Sequence, residues 1–122
     1  MVVGNKIPFV NENLKMKKAF QIISNKKLGT LIVQNSKKIT TGIITDGQIR
    51  RFNETSNNLQ DLTVKKVMTS SPISIDRDML AEKALSIMNE KKITSLCVHS
   101  KKDKKKTIGI LHIHNLLQSN IH

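Results

Sequence analysis

The sequence predicts an α/β (α+β) chain made of tandem motifs, two pseudo-symmetric β-α-β-β-α halves. Three observations predict it. The chain repeats itself, the apolar period changes from helical to extended inside each copy, and the length difference between copies falls in a polar turn. Lys18–Leu28 lies against Lys83–Ile93, and the match continues through Thr30/Ser95, Leu31/Leu96, Ile32/Cys97 and Val33/Val98. It resumes at Gly42-Ile43-Ile44 against Gly109-Ile110-Leu111, with the second copy longer by two residues in Lys101–Lys106. Repeats of this kind mark one supersecondary unit used twice, and insertions collect in exposed turns.

The elements follow in chain order. Pro8-Phe9-Val10 and Pro72-Ile73-Ser74-Ile75 read as short extended lead-ins, because proline fixes the start of a strand. A helix follows in each copy. In the second, Leu80, Ala84, Leu85, Ile87 and Met88 recur at helical spacing, and Met16–Ile23 is its counterpart. Asp78 and Asn13 are the expected N-caps. Thr30–Gln34 and Ser95–His99 are apolar strands. Asn35–Lys38 and Ser100–Lys106 are polar turns, the second a solvated basic hairpin tip. Ile39–Thr45 and Thr107–Ile113 are second strands, and short helices are expected near Gln48–Phe52 and Asn115–Ser119. Asn53–Thr63 reads as a polar linker, Val64–Met68 as a short helical lead-in to the second copy, and Gly42, Gly47 and Gly109 as punctuation of strand ends. Met68, Met79 and Met88 read as core or interface filler. The division is 1–58 for the first motif with its linker and 59–122 for the second. Neither half has enough apolar surface for a core of its own, so the copies are expected to pack sheet to sheet with helices outside.

Composition bounds the function. The chain has 122 residues, with 21 basic against 9 acidic side chains and a formal charge of +12. That balance alone suggests an acidic partner. Aromatics make up 2%, however, so there is no platform for stacking single-stranded bases. Only Arg50, Arg51 and Arg77 are arginines, the residues that dominate phosphate and base forks. Nucleic acid is therefore the alternative partner, and lysine filling solvated faces the preferred reading. One cysteine, Cys97 in an apolar run, excludes a disulfide framework and suits a reduced, cytoplasmic thiol. No apolar run is long enough for a membrane span, and Met1–Gly4 lacks the basic start of a signal peptide. No nucleophile elbow, P-loop, H-E-x-x-H or G-x-G-x-x-G occurs, so neither a catalytic constellation nor a cofactor is expected. His112 and His114 share one strand face. With His99 they make a conceivable three-nitrogen metal set, but no carboxylate or thiolate falls at ligand spacing and no metal is assigned.

The β-α-β-β-α order, used twice, resembles a tandem pair of CBS motifs, or Bateman module. Gly42-Ile43-Ile44-Thr45-Asp46-Gly47-Gln48-Ile49-Arg50-Arg51 resembles the G-I-F-T-D-G-D-L-R-R segment of the arabinose 5-phosphate isomerase family. Thr63–Thr69 resembles that family's V-x-D-V-M-T, Lys92–Leu96 its K-I-T-S-L, and Gly109–Leu117 its G-V-I-H-L-H-D-L-L. The resemblance implies the regulatory part of an enzyme that interconverts ribulose 5-phosphate and arabinose 5-phosphate on the route to the lipopolysaccharide sugar Kdo. In that family the chemistry belongs to an N-terminal sugar-isomerase (SIS) domain. Nothing in this chain resembles that domain, so the chain itself is expected not to be an enzyme. The first copy also starts without the lead-in that Val67-Met68 gives the second.

The resemblance also implies the site. CBS motifs place a hydroxyl and a carboxylate at a strand-to-helix junction for a nucleotide ribose. Here the first copy has Thr45 with Gln48 in the carboxylate position, and the second has His112 and Asn115. Replacing a carboxylate by Gln48 removes a negative charge, which favours an anion over a neutral nucleoside. Arg50 and Arg51 can grip acid groups in bidentate fashion. The expected ligand-binding set is Thr45, Asp46, Arg50, Arg51, His112, His114 and Asn115, around a cleft between the motifs. The expected ligand is a nucleotide or nucleotide-sugar effector. CBS pairs also associate as homodimers through helix faces, here Met16–Ile23 and Leu80–Met88.

Overall fold

The computed structural model describes residues 2–3, 7–26, 29–55 and 59–113, with side chains in 7–23, 29–50 and 59–113. The chain divides into two compact units. One is Pro8–Pro72, and the other joins the described parts of Met1–Ile7 to those of Ile73–His122. The first strand, β1 (Val2–Val3), belongs to the second of these units.

The Pro8–Pro72 unit runs β2 (Phe9–Asn11), α1 (Met16–Lys26), β3 (Thr30–Gln34), β4 (Thr40–Thr45), α2 (Asp46–Thr55), a 3-10 turn (Leu59–Asp61), α3 (Val64–Val67) and β5 (Thr69–Ser70). Its sheet has the order β2-β3-β4-β5, with β2 parallel to β3 and the other pairs antiparallel. The aliphatic run Leu31-Ile32-Val33, two of its three residues β-branched, is fully buried in β3, the mark of a strand covered on both faces. Asn35 turns the chain into β4. Its side-chain oxygen accepts the N–H groups of Lys37 and Ile39 at 2.9 and 3.1 Å, and Lys38 takes a positive φ of 63°. Met16, Ala19 and Ile23 of α1 fall on one helical stripe and share a core with Leu31, Val33 and Ile44. Each of the larger of these buried side chains contributes about 1.5–3 kcal/mol.

The second unit continues with β6 (Ser74–Asp76), α4 (Ala81–Lys91), β7 (Ser95–His99) and β8 (Thr107–His112). Its sheet order is β1-β8-β7-β6, the same pattern as the first. Ala84 and Met88 of α4 pack with Ile75, Leu96 and Val98. Helix α4 stops at Lys92, whose left-handed backbone (φ 57°) lets the Ile93 N–H donate to the Met88 carbonyl at 3.0 Å. Ser100 and Asp103 shape the following turn. They accept the Lys102 and Lys105 N–H groups through their side chains at 3.2 and 2.9 Å, leaving the lysines in solvent.

The registers make the repeat literal. Thr30 pairs with Thr45 as Ser95 pairs with His112, and Phe9–Asn11 meets β3 as Ser74–Asp76 meets β7. The two-residue leading strands exchange between motifs. β5, which leads into the second motif, pairs with β4 through Gly42 and Ile43, and β1, which leads into the first, pairs with β8 through Gly109 and Ile110.

The structure departs from the sequence reading in five places. Asp78 does not cap α4: Leu80 holds the N-cap position with no side-chain bond, while Asp76 accepts the Asp78 N–H at 2.9 Å. Asn13 is likewise the partner of Asn11, which accepts its N–H at 2.8 Å, and α1 starts three residues later. In both copies the polar side chain two residues earlier wins the local N–H. The helix after β4 starts at Asp46 and runs to Thr55, longer than Gln48–Phe52. The polar linker is not merely a linker, because Leu59 is 2% exposed and belongs to the core. Gly42 and Gly109 lie inside strands, not at their ends. At Gly42 a Cβ would collide with the Met68 side chain and stand 3.0 Å from the Thr69 carbonyl oxygen, so the glycine admits the exchanged strand. The expected helix near Asn115–Ser119 lies outside the described residues.

Candidate functional site at the strand-to-helix junctions

In the Pro8–Pro72 unit, β4 ends at Thr45 and α2 begins at once. The Thr45 N–H donates to Gln48 Oε1 at 2.9 Å, and the Gln48 N–H donates to Thr45 Oγ1 at 3.3 Å. The Thr45 hydroxyl and Gln48 Oε1 are also 3.3 Å apart. This is a reciprocal capping box, in which a hydroxyl residue and a Gln three positions on satisfy each other's orphan N–H groups. Gln48 has a second task. Its Nε2 donates to the Thr69 hydroxyl, which ties the start of α2 to β5. The two side chains read as a ribose site therefore already have structural work, and the sequence signal for it was the T-x-x-Q spacing itself.

Asp46 is exposed in the first turn of α2, where a carboxylate complements the partial positive charge of the helix start. Its N–H donates to the Gly29 carbonyl at 3.0 Å. Gly29 has φ +68°, and a Cβ there would stand 2.9 Å from Asp46 Oδ2, so the carboxylate lies over a residue that must lack a side chain. Arg50 is exposed one turn further along α2 and forms no ion pair among the described residues. Thr45, Asp46, Gln48 and Arg50 are thus brought to one helix start. The Arg51 side chain, His114 and Asn115 lie outside the described residues.

In the other unit, His112 occupies the place of Thr45. It is half-buried at the end of β8 opposite Ser95, and the Ile113 N–H donates to the Thr94 carbonyl at 2.8 Å, as Asp46 does to Gly29. His99 does not join it. His99 pairs with Thr107 at the far end of the hairpin, about 13 Å along the strand from the Ser95–His112 pair. Its ring Nδ1 lies 3.1 Å from the Ser100 carbonyl oxygen. The three-histidine set is therefore corrected by the register, and no group of three metal-ligating side chains occurs among the described residues. Cys97 is fully buried, and loss of water around its sulfur raises its pKa to about 11, against a smaller lowering by its hydrogen bond with Thr107. It is a packing thiol. Among the described residues, no helix is long and apolar enough to cross a membrane.

Comparison with known proteins agrees with this double architecture. Arabinose 5-phosphate isomerase KdsD of Salmonella typhi is 36% identical over 122 residues, which is 99% of this chain and 36% of that protein. The chain thus spans about a third of the length of that curated relative. The solved CBSX2 in complex with AMP superposes with a TM-score of 0.83 at 22% identity, over 98% of this chain and 90% of that one. The CBS domain pair of MJ0100 in complex with 5-methylthioadenosine and S-adenosyl-L-methionine gives 0.83 at 18% identity, over 96% and 90%. The CBS domain profile matches residues 2–54 and again 64–121, so the chain belongs to the CBS domain family, as a tandem pair.

Proposed function

We propose that this chain is the regulatory, ligand-sensing CBS pair of an arabinose 5-phosphate isomerase-like enzyme. In this reading it serves the supply of arabinose 5-phosphate to Kdo and lipopolysaccharide synthesis. The observation that carries the reading is the match to KdsD across 99% of this chain. Because the chain corresponds to 36% of that relative, turnover is assigned to the remainder of the parent protein, with its sugar-isomerase domain. The CBS pairs solved with AMP and with S-adenosyl-L-methionine support an adenine nucleotide or a chemically related effector.

The proposed ligand is an anionic nucleotide or nucleotide sugar, held at the two strand-to-helix junctions by Thr45, Asp46, Arg50, Arg51, His112, His114 and Asn115. Arg50, which forms no ion pair among the described residues, and the replacement of a carboxylate by Gln48 support an anion. A ligand that uses the Thr45 hydroxyl must compete with the capping box, which favours ligands that make most of their contacts to the arginines and histidines. The module is further proposed to work in the cytoplasm as a homodimer through the α1 and α4 faces. It would pass a coupling on the order of 1–3 kcal/mol to the catalytic domains.

Titration calorimetry with nucleotides, sugar phosphates and nucleotide sugars tests this on the wild type, Arg51→Ala and His112→Ala. Saturable binding weakened at least tenfold by either change is expected. Binding indifferent to both would put the site elsewhere. Micromolar binding of duplex DNA at physiological salt, with a steep salt slope, would favour a nucleic-acid module instead.

A further inference from the structure

Gln48 links the start of α2 to a strand 21 residues further along the chain. Its Oε1 accepts the Thr45 N–H at 2.9 Å and faces the Thr45 hydroxyl at 3.3 Å, while its Nε2 donates to the Thr69 hydroxyl. The Thr45 N–H needs an acceptor, so it fixes which end of the amide faces it. Resonance keeps a carboxamide planar, and its oxygen and nitrogen turn together. Whatever draws Oε1 from Thr45 therefore disturbs Nε2 at Thr69, and the reverse holds.

Thr69 belongs to β5, a two-residue strand at the edge of its sheet. Ser70 pairs with Gly42 and Thr69 with Ile43, and both β5 residues are exposed, so little apolar burial reinforces the pairing. Directly after β5, Ser71 has φ 54°, a left-handed backbone that crowds a residue with a Cβ. Its N–H donates to the Thr41 carbonyl at 3.3 Å, a long bond. Pro72 follows, where the unit ends, and a proline further narrows the choices of the residue before it. A strained backbone of this kind persists only where its surroundings impose it. β5 is thus a marginal strand ending in a strained turn, with a side-chain tie to α2. It has two arrangements, docked with Ser71 left-handed or loosened with Ser71 relaxed. The tie is not a property of the repeat. The register sets Val2 against Ile110 as it sets Thr69 against Ile43, and valine offers no hydroxyl, so the tie belongs to the first junction.

We propose that Gln48 is a positioning residue that couples the Thr45 junction to the docking of β5. Whatever takes the Thr45 N–H or hydroxyl from Gln48 loosens β5 and lets Ser71 relax, and a firmly docked β5 keeps Gln48 on Thr45. Such a coupling is reciprocal. Water competes for the bond at exposed Thr69, so the coupling is modest. The inference rests on the proposed function only in reading the junction as an effector site, where an effector engaging Thr45 would be felt at the point where the chain leaves the unit. The tie itself needs no effector.

The test is amide hydrogen exchange on the full chain without ligand, which reports local opening. It is read at Thr45, at Ser71 and, as a reference in the same unit, at Ile32, whose N–H donates to the Pro8 carbonyl at 3.0 Å. Thr69→Val removes the hydroxyl and keeps the β-branched shape. It should speed exchange at Thr45 and Ser71 about threefold or more and leave Ile32 unchanged. Thr45→Val should do the same at Ser71. Thr69→Ser, which keeps the hydroxyl, should match the wild type. In a Gln48→Ala background both sites should already exchange fast, and neither valine variant should add a further change at the other's site. Unchanged exchange at the distant site in either valine variant would overturn the proposal. So would a Thr69→Ser variant as fast as Thr69→Val, an effect that persists without Gln48, or an equal rise at Ile32, which would mean general loosening. No effector enters this experiment, so its failure leaves the effector reading standing, and a failure of the calorimetry leaves the coupling standing.

Discussion

Thr45 and Gln48 satisfy each other, so removing one should cost less once the other is gone. Gln48→Ala takes the acceptor from the Thr45 N–H, a part-buried bond of 2.9 Å, and the Nε2 contact from Thr69. An unsatisfied part-buried N–H costs on the order of 1 kcal/mol. Thr45→Ala takes the acceptor from the Gln48 N–H at 3.3 Å, a long bond, so its cost falls in the lower part of the capping range, about 0.5–1 kcal/mol. The hydroxyl and Oε1 also face each other at 3.3 Å, and that contact is lost in either single variant. The double variant should therefore fall short of the sum by about 0.5 kcal/mol, the coupling expected of residues in one network. Urea unfolding of the four proteins measures it, with each kcal/mol also worth about 3–5 °C of thermal midpoint for a domain of this size. Gln48→Glu keeps the acceptor and adds a favourable charge at the helix start, so it should hold wild-type stability. Additivity within about 0.2 kcal/mol, or a Gln48→Glu variant as weak as Gln48→Ala, would refute the reciprocal cap.

Three further outcomes are expected. Gly42→Ala should cost about 1–3 kcal/mol and loosen β5, read as faster amide exchange at Thr69 and Ser70, because its Cβ meets Met68 and the Thr69 carbonyl. Leu59→Ala should cost about 2–5 kcal/mol in urea unfolding, the range for a buried leucine, although the surrounding sequence is polar. Burial raises the Cys97 pKa in the folded state from 9.0 to about 11, so the unfolded chain loses this proton first as pH rises. Stability from this group is complete below about pH 9 and is lost progressively between pH 9 and 11. The difference in unfolding free energy between wild type and Cys97→Ala should shrink by about 2–3 kcal/mol across that window, and a constant difference would contradict it.

The strands were the most legible part of this fold. Thr30–Gln34 and Ser95–His99 run between the bounds their apolar pattern indicates, because a strand buried on both faces leaves no polar residue to blur its limits. The repeat made the second copy readable through the first. What escaped the sequence were features set by residues distant along the chain. Leu59 is a single leucine in a polar stretch, and its burial depends on α1 packing over it. Gly42 reads as punctuation until β5 arrives beside it. Asp78 and Asn13 do not cap because Asp76 and Asn11 accept their backbone N–H groups in a turn, and each helix starts three residues further on. At the candidate site, residue types were legible but their engagement was not: Thr45 and Gln48 look free for a ligand in sequence and are hydrogen-bonded to each other in the fold.

The exchange of leading strands means that the unit of sequence and the unit of packing do not coincide. β1 precedes the first motif yet completes the sheet that holds the second, and β5 does the reverse. A chain of half this length, one motif with its own leading strand, would have a sheet whose edge only another molecule could fill. Two such chains would trade strands and exist only as a concentration-dependent pair, the route by which identical elements swap between protomers. Joining the copies in one polypeptide makes that association intramolecular and independent of dilution. It also frees the two halves to diverge, as Thr45 and His112 have done in equivalent positions.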